Sequence, residues 1–96
     1  MHAVVRTYSG PGAKELFDLL EKQNASVEAA MRSVPGFVSY TAVRTGDGGV
    51  TLTVCDDKQG TEASVRVAKD WIRKNASTVG SKPPAIAEGS VVVQIG

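Results

Sequence analysis

The side chains with chemistry to offer are few: the only tryptophan, Trp71, the only two tyrosines, Tyr8 and Tyr40, and the ionisable pair His2 and Arg6. Trp71 follows Val67 by four residues on an apolar helical stripe, which suits a core anchor and equally the wall of a small pocket. Tyr8 and Tyr40 sit in β-type runs, where the ring packs and the hydroxyl reaches a sheet edge or a cavity. Arg6 and His2 share a strand face with Tyr8, because side chains two apart point the same way. An inward-facing group of that kind could bind a carboxylate or an enolate; the alternative is an exposed or dimer-contact face. Trp71, Tyr40, Arg6 and Tyr8 are therefore the candidate ligand-pocket residues, and no catalytic residue is assigned.

Other reactive types have simpler readings. Cys55 is the only cysteine, so no internal disulfide can form, and with no histidine near it in the sequence it reads as a small buried hydrophobe. Asp56-Asp57 precedes a helical pattern and reads as a helix cap, not as a metal site. No metal ligand set and no cofactor motif is present; Gly10-Pro11-Gly12 lacks the third glycine of a dinucleotide fingerprint and instead opens a helix. Asn24-Ala25-Ser26 and Asn75-Ala76-Ser77 match a glycosylation sequon that only a secreted chain would use.

The elements that position these residues follow from periodicity. His2 to Tyr8 reads as strand one. A helix follows with Leu16, Phe17, Leu20, Val27, Met31 and Val34 on its apolar face, and Gln23-Asn24-Ala25-Ser26 is expected to kink or split it. Pro35-Gly36 ends that helix. Phe37 to Thr45 and Val50 to Cys55 form a hairpin around Gly46-Asp47-Gly48-Gly49, whose glycines are expected to supply positive φ at the turn. Asp56 or Asp57 caps a second helix with Ala63, Val67, Ala68, Trp71 and Ile72 on its apolar stripe and Arg73 and Lys74 in its last turn. Ala76 to Pro84 is a loop, and Ala87 to Ile95, centred on Val91-Val92-Val93, reads as strand four.

Ninety-six residues, 42% of them hydrophobic, suit one domain spanning residues 1–96 with a modest core. The net charge of +1 is spread as mixed signs along both helices, so nucleic acid and membrane surfaces are not expected partners. A single cysteine and an N-terminus that runs straight into a strand point to a cytoplasmic protein. Ala3-Val4-Val5 and Val91-Val92-Val93 offer apolar side chains to both sheet faces, and strand two places Phe37 and Val43 on one side against Val38, Tyr40 and Ala42 on the other. Two helices cover one face, so the other asks for a second subunit, and a homodimer through the sheet face is expected.

The element order, Val34-Pro35-Gly36-Phe37-Val38-Ser39-Tyr40 at the entry to strand two, Trp71 late in helix two, and Pro83-Pro84-Ala85-Ile86-Ala87-Glu88-Gly89 before a Val-rich strand resemble the antibiotic biosynthesis monooxygenase family of dimeric α+β barrels. The resemblance covers nearly the whole chain. It implies an α+β, ferredoxin-like β-α-β-β-α-β fold, a four-stranded antiparallel sheet with two helices on one face, and a small-molecule site between sheet and helices. It also implies two chemistries. Heme-degrading members resemble the chain at Trp71 but use an Asn on strand one and a His beyond helix two; strand one here has no Asn, and no His follows Trp71, so nothing ligates iron from that position. Cofactor-independent monooxygenases oxidise an aromatic substrate that itself activates dioxygen; Trp71 matches their ring-contacting residues, with Tyr40 and Tyr8 as substitutes. A barrel that binds a ligand, or only supports itself, without catalysis is the alternative. A cavity of about 300 Å³ or more with Arg6 or a Tyr hydroxyl pointing inward would favour the enzyme, and a smaller one closed by Trp71 would oppose it.

Overall fold

A computed structural model describes residues 1–96. The elements are β1 (His2–Tyr8), α1 (Ala13–Lys22), α2 (Asn24–Arg32), β2 (Phe37–Thr45), β3 (Gly48–Cys55), α3 (Lys58–Asn75) and β4 (Ala85–Ser90). The four strands form one antiparallel sheet in the order β2-β3-β1-β4, with the helices packed on one face. The expected ferredoxin-like architecture is therefore present. Its first helix is split at Gln23, whose backbone leaves the helical region at φ −110°, ψ 36°. Asn24 takes part in the break: its side-chain amide donates to the Glu21 carbonyl at 2.9 Å and competes with the helical ladder.

Helix starts follow local chemistry. Asp57 caps α3, its carboxylate accepting from the Gly60 N–H at 3.1 Å. The α1 N-cap is Gly12, in the left-handed region at φ 85°, where a Cβ would lie 2.7 Å from the Val79 carbonyl oxygen. Tyr8, Leu16, Phe17, Val27, Met31, Ala68 and Trp71 form the core between helices and sheet.

Three expectations need correction. First, none of Gly46, Gly48 and Gly49 has positive φ. The last two serve close approach instead: a Cβ on Gly48 would collide with the Tyr8 carbonyl and Ala13, and one on Gly49 with the Phe17 ring. Second, a bulge at Val38 shifts the β2 register, so that Phe37 pairs with Cys55 and Ser39 with Val54. Phe37 consequently shares the helix-facing side with Tyr40 and Ala42, and Val43 lies on the opposite side.

Third, strand four is Ala85–Ser90 and ends before the valine run. It pairs with β1, which begins at His2, so beyond the Ser90 pair only the Val91 N–H finds a partner, the Met1 carbonyl at 3.0 Å. Val92, Val93 and Ile95 are left exposed. Strand three, whose alternation alone assigns no side, turns its hydroxyls inward. Pairing His2 with Cys55, Val4 with Thr53 and Arg6 with Thr51 places Thr51, Thr53 and Cys55 on the helix-covered face, while Val50, Leu52 and Val54 point to the outer face.

Candidate functional site

The alternation of β1 sends His2, Val4, Arg6 and Tyr8 under the helices. Arg6 is consequently buried, 2% exposed, beneath Leu16, Leu20, Val27, Met31, Ala68 and Trp71. All four sequence candidates, Arg6, Tyr8, Tyr40 and Trp71, line one chamber, together with Thr51 from β3. Its free volume is about 20 Å³, room for a single oxygen-sized centre and not for an organic molecule. Trp71 closes it from α3, held by an indole N–H that donates to the Ser26 hydroxyl at 3.0 Å.

Charge in this chamber is uncompensated. The Arg6 Nε and Nη1 and the hydroxyls of Thr51 and Thr53 have no hydrogen-bond partner. Burial pushes the pKa of Tyr8 up, and the nearby Arg6 guanidinium only partly opposes it; the same holds for Tyr40. Both tyrosines are therefore neutral at pH 7 and offer O–H donors, so neither supplies the guanidinium with a counter-anion.

Beside the chamber, between α1, α2 and β2, runs an open groove of about 650 Å³. Phe17, Leu20, Val27, Met31, Phe37 and Tyr40 form its apolar lining, and Leu20, Val27, Met31 and Tyr40 also border the chamber. The groove thus passes the 300 Å³ mark, while Arg6, Tyr8 and Trp71 stay behind this shared wall. Charges at its rim are spent on one another. Arg44 reaches Asp18 at 2.8 Å and Glu21 at 2.9 Å, and Arg32 pairs with Glu28 at 2.8 Å with its guanidinium 5.9 Å from the Phe37 ring centre. An opening with a paired rim and an apolar floor selects by shape and apolar area more than by charge.

His2 lies apart from the tyrosine cluster, at the other end of β1. The Thr61 hydroxyl donates to the Lys58 carbonyl at 3.0 Å, which leaves its oxygen to accept from His2 Nδ1 at 2.8 Å. The fold also sets His2 opposite Cys55, a neighbour that sequence distance conceals. Burial, followed by Asp56 and Asp57, pushes the Cys55 pKa up, so the thiol stays protonated and inert. No histidine lines the groove or the chamber, so the donor set does not fit the axial ligation of a heme iron from His.

Sequence reasoning missed Thr51 and Thr53, read as strand alternation without a side assigned, and Ser26, the partner of Trp71. It read Phe17, Leu20 and Met31 only as core; their groove edge depends on how α1–α2 packs over β2, which no spacing records.

No family model and no curated protein matches the chain. Solved structures do. A monooxygenase from the gene ActVA-Orf6 of Streptomyces coelicolor, in complex with the ligand Nanaomycin D, is 26% identical with a TM-score of 0.63, over 98% of this chain and 88% of that one. The heme-degrader MhuD of Mycobacterium tuberculosis, with two hemes bound in its active site, is 18% identical with a TM-score of 0.70 over the whole of both chains. A dimeric ferredoxin-like protein from an uncultured marine organism is 12% identical with a TM-score of 0.64, over 98% of this chain and 94% of that one. The ferredoxin-like fold of the antibiotic biosynthesis monooxygenase-like proteins is therefore the fold of this chain.

Proposed function

We propose that the chain binds a flat, largely apolar small molecule in the groove between α1–α2 and β2. The observation that carries the reading is the groove itself: about 650 Å³ lined by Phe17, Leu20, Val27, Met31, Phe37 and Tyr40, behind a rim whose charges are already paired. That volume suits a two- or three-ring ligand. Self-association through the outer sheet face belongs to the same reading. That face presents Val43 and Leu52 to solvent, and Val92, Val93 and Ile95 of the tail are exposed as well, apolar side chains that a second copy could cover. The dimeric state of the marine protein supports it at the level of fold.

Ala42 supplies the test, because it lines the groove yet is exposed, so a larger side chain there fills the groove with little cost to folding. A tricyclic quinone titrated against the fluorescence of Trp71, the only tryptophan, should quench the native protein saturably. Ala42→Phe should weaken that binding at least tenfold, about 1.4 kcal/mol. Equal affinity for both proteins would sink the groove reading.

A second reading is favoured by the 26% identity with a monooxygenase: the bound molecule is oxidised by dioxygen without metal or flavin. In balanced form, a ring CH₂ and O₂ become a ring C=O and water. Tyr40 is the polar side chain that borders both spaces, and its burial-raised pKa makes its hydroxyl a hydrogen-bond donor to the substrate and not a base. Oxygen uptake with an anthrone, slowed in Tyr40→Phe, would support it; no uptake above buffer would leave binding alone.

A further inference from the structure

We propose that segment 91–95, Val-Val-Val-Gln-Ile, adds as a strand to the free edge of β2 in a second copy of this chain, and there supplies the missing side wall of that copy's groove. This rests on the groove and self-association readings above and deepens both. The Val91 N–H finds the Met1 carbonyl at 3.0 Å, so the segment leaves the sheet on the line of β4, but the β1–β4 ladder stops at the His2–Ser90 pair. Beyond Val91 the backbone of the run makes no hydrogen bond, and Val92, Val93 and Ile95 are 91%, 73% and 91% exposed. Valine and isoleucine are strong strand formers, and the run holds neither proline nor charge to blunt pairing. A bare strand of this composition is completed by another sheet edge.

The edge that fits is β2. The order β2-β3-β1-β4 gives β2 one neighbour, so every second N–H and C=O along Phe37–Thr45 points away from β3. Val38, 40% exposed, and Val43, 52% exposed, offer β-branched side chains for cross-strand packing on the valines. The other free edge, β4, offers less: Ala85, Ala87 and Gly89 on one face, and on the other Glu88, which faces Lys58 at 4.0 Å. The segment cannot serve its own β2. Four strand spacings, about 19 Å, separate β4 from the position outside β2, and five extended residues reach about 17 Å.

The groove is unfinished on that same side. β2 carries Phe37, Tyr40 and Ala42 of its lining, and as an edge strand it leaves Ala42 exposed with no strand beyond it. One added strand widens the sheet by about 4.8 Å and turns every second side chain toward the helices. Alternate apolar side chains of the partner's segment then stand beside Ala42 and close the groove.

Hydrogen exchange without ligand, read by mass spectrometry on the β2 peptide, tests the pairing. The amides of β2 that face away from β3 should exchange at least tenfold more slowly in the native dimer than in a chain lacking residues 91–96, a deletion that leaves the buried core intact. Dilution into the monomer should remove the same protection. Val92→Pro and Val93→Pro check this at full length: adjacent N–H groups face opposite sides of a strand, so at least one of the two should mimic the deletion. The tricyclic quinone should bind the shortened chain at least tenfold more weakly than the native one. Sedimentation reads self-association separately. A dimer with equal β2 exchange in native and shortened chains, or with native exchange in both proline variants, overturns the strand addition and leaves self-association standing; a native monomer overturns both. Protection that survives dilution into the monomer assigns the segment to its own chain and overturns the inference. Equal quinone affinity in native and shortened chains overturns the side wall, whereas a native chain that binds no quinone counts against the groove, and the exchange rates then decide the strand.

Discussion

Replacing Gly49 and Gly46 with alanine, one at a time, separates two reasons for a glycine-rich hairpin. Neither residue has positive φ, so neither is required by the turn conformation. A Cβ on Gly49 would enter the ring of Phe17, which is buried, 4% exposed, and has nowhere to go without displacing its edge-to-face partner Tyr8, 5.8 Å away between ring centres. Overpacking of this kind costs about 1–3 kcal/mol, against which the stiffer unfolded chain returns about 0.4–1 kcal/mol. The net loss of about 1–2 kcal/mol corresponds to a Tm lowered by roughly 5 to 15 °C for a chain of this size. A Cβ on Gly46 meets nothing within 4 Å, so Gly46→Ala should be neutral or more stable by up to about 1 kcal/mol. Urea unfolding of both variants at unchanged m-value measures the difference. Equal losses in the two, or no loss in Gly49→Ala, would refute the close-approach account of this hairpin.

Two further outcomes follow from the same geometry. The folded-state pKa of both tyrosines lies above the ordinary value of 10.0, so the neutral phenols contribute stability that is full below pH 10 and is lost as pH rises through the folded pKa. Absorbance at 295 nm should therefore show less tyrosinate in the folded chain at pH 10 than in the urea-unfolded chain at the same pH, and Tyr8→Phe or Tyr40→Phe should weaken the alkaline loss of stability; equal or greater ionisation in the folded chain would contradict this. For the assembly, sedimentation at micromolar concentration should give a dimer, and Leu52→Lys, which sets a charge on the outer sheet face, should give a folded monomer. A native chain that sediments as a monomer would remove the sheet-face interface.

The order of elements was legible because the apolar stripes of the helices and the alternating strands are local patterns, and the break at Gln23–Ser26 is written in residues that compete for backbone hydrogen bonds. Sidedness was not. Which way β3 faces depends on its pairing with β1, and a Val50-Leu52-Val54 row invites the assumption that valines point to the core when here the threonines do. Strand four was misplaced for a related reason. Val91-Val92-Val93 has the composition of a strand centre, yet β1 starts at His2 and provides no partner beyond Ser90. Of the site, Arg6, Tyr8, Tyr40 and Trp71 converge as their strand face and helix stripe suggested. That they enclose about 20 Å³, with the larger space on the far side of Tyr40, depends on how α1–α2 packs over β2, which is tertiary and not local.

The central claim is that the groove, and not the outer sheet face or the chamber, receives a flat ligand, and amide chemical shifts during titration with a tricyclic quinone test it most directly. The shifts should centre on Glu21, Asn24, Phe37 and Ala42, which line the groove and not the chamber, saturate together, and leave Val5, Leu52 and Ala87 on the outer face unmoved. Shifts confined to those outer residues, or none at all, would contradict it.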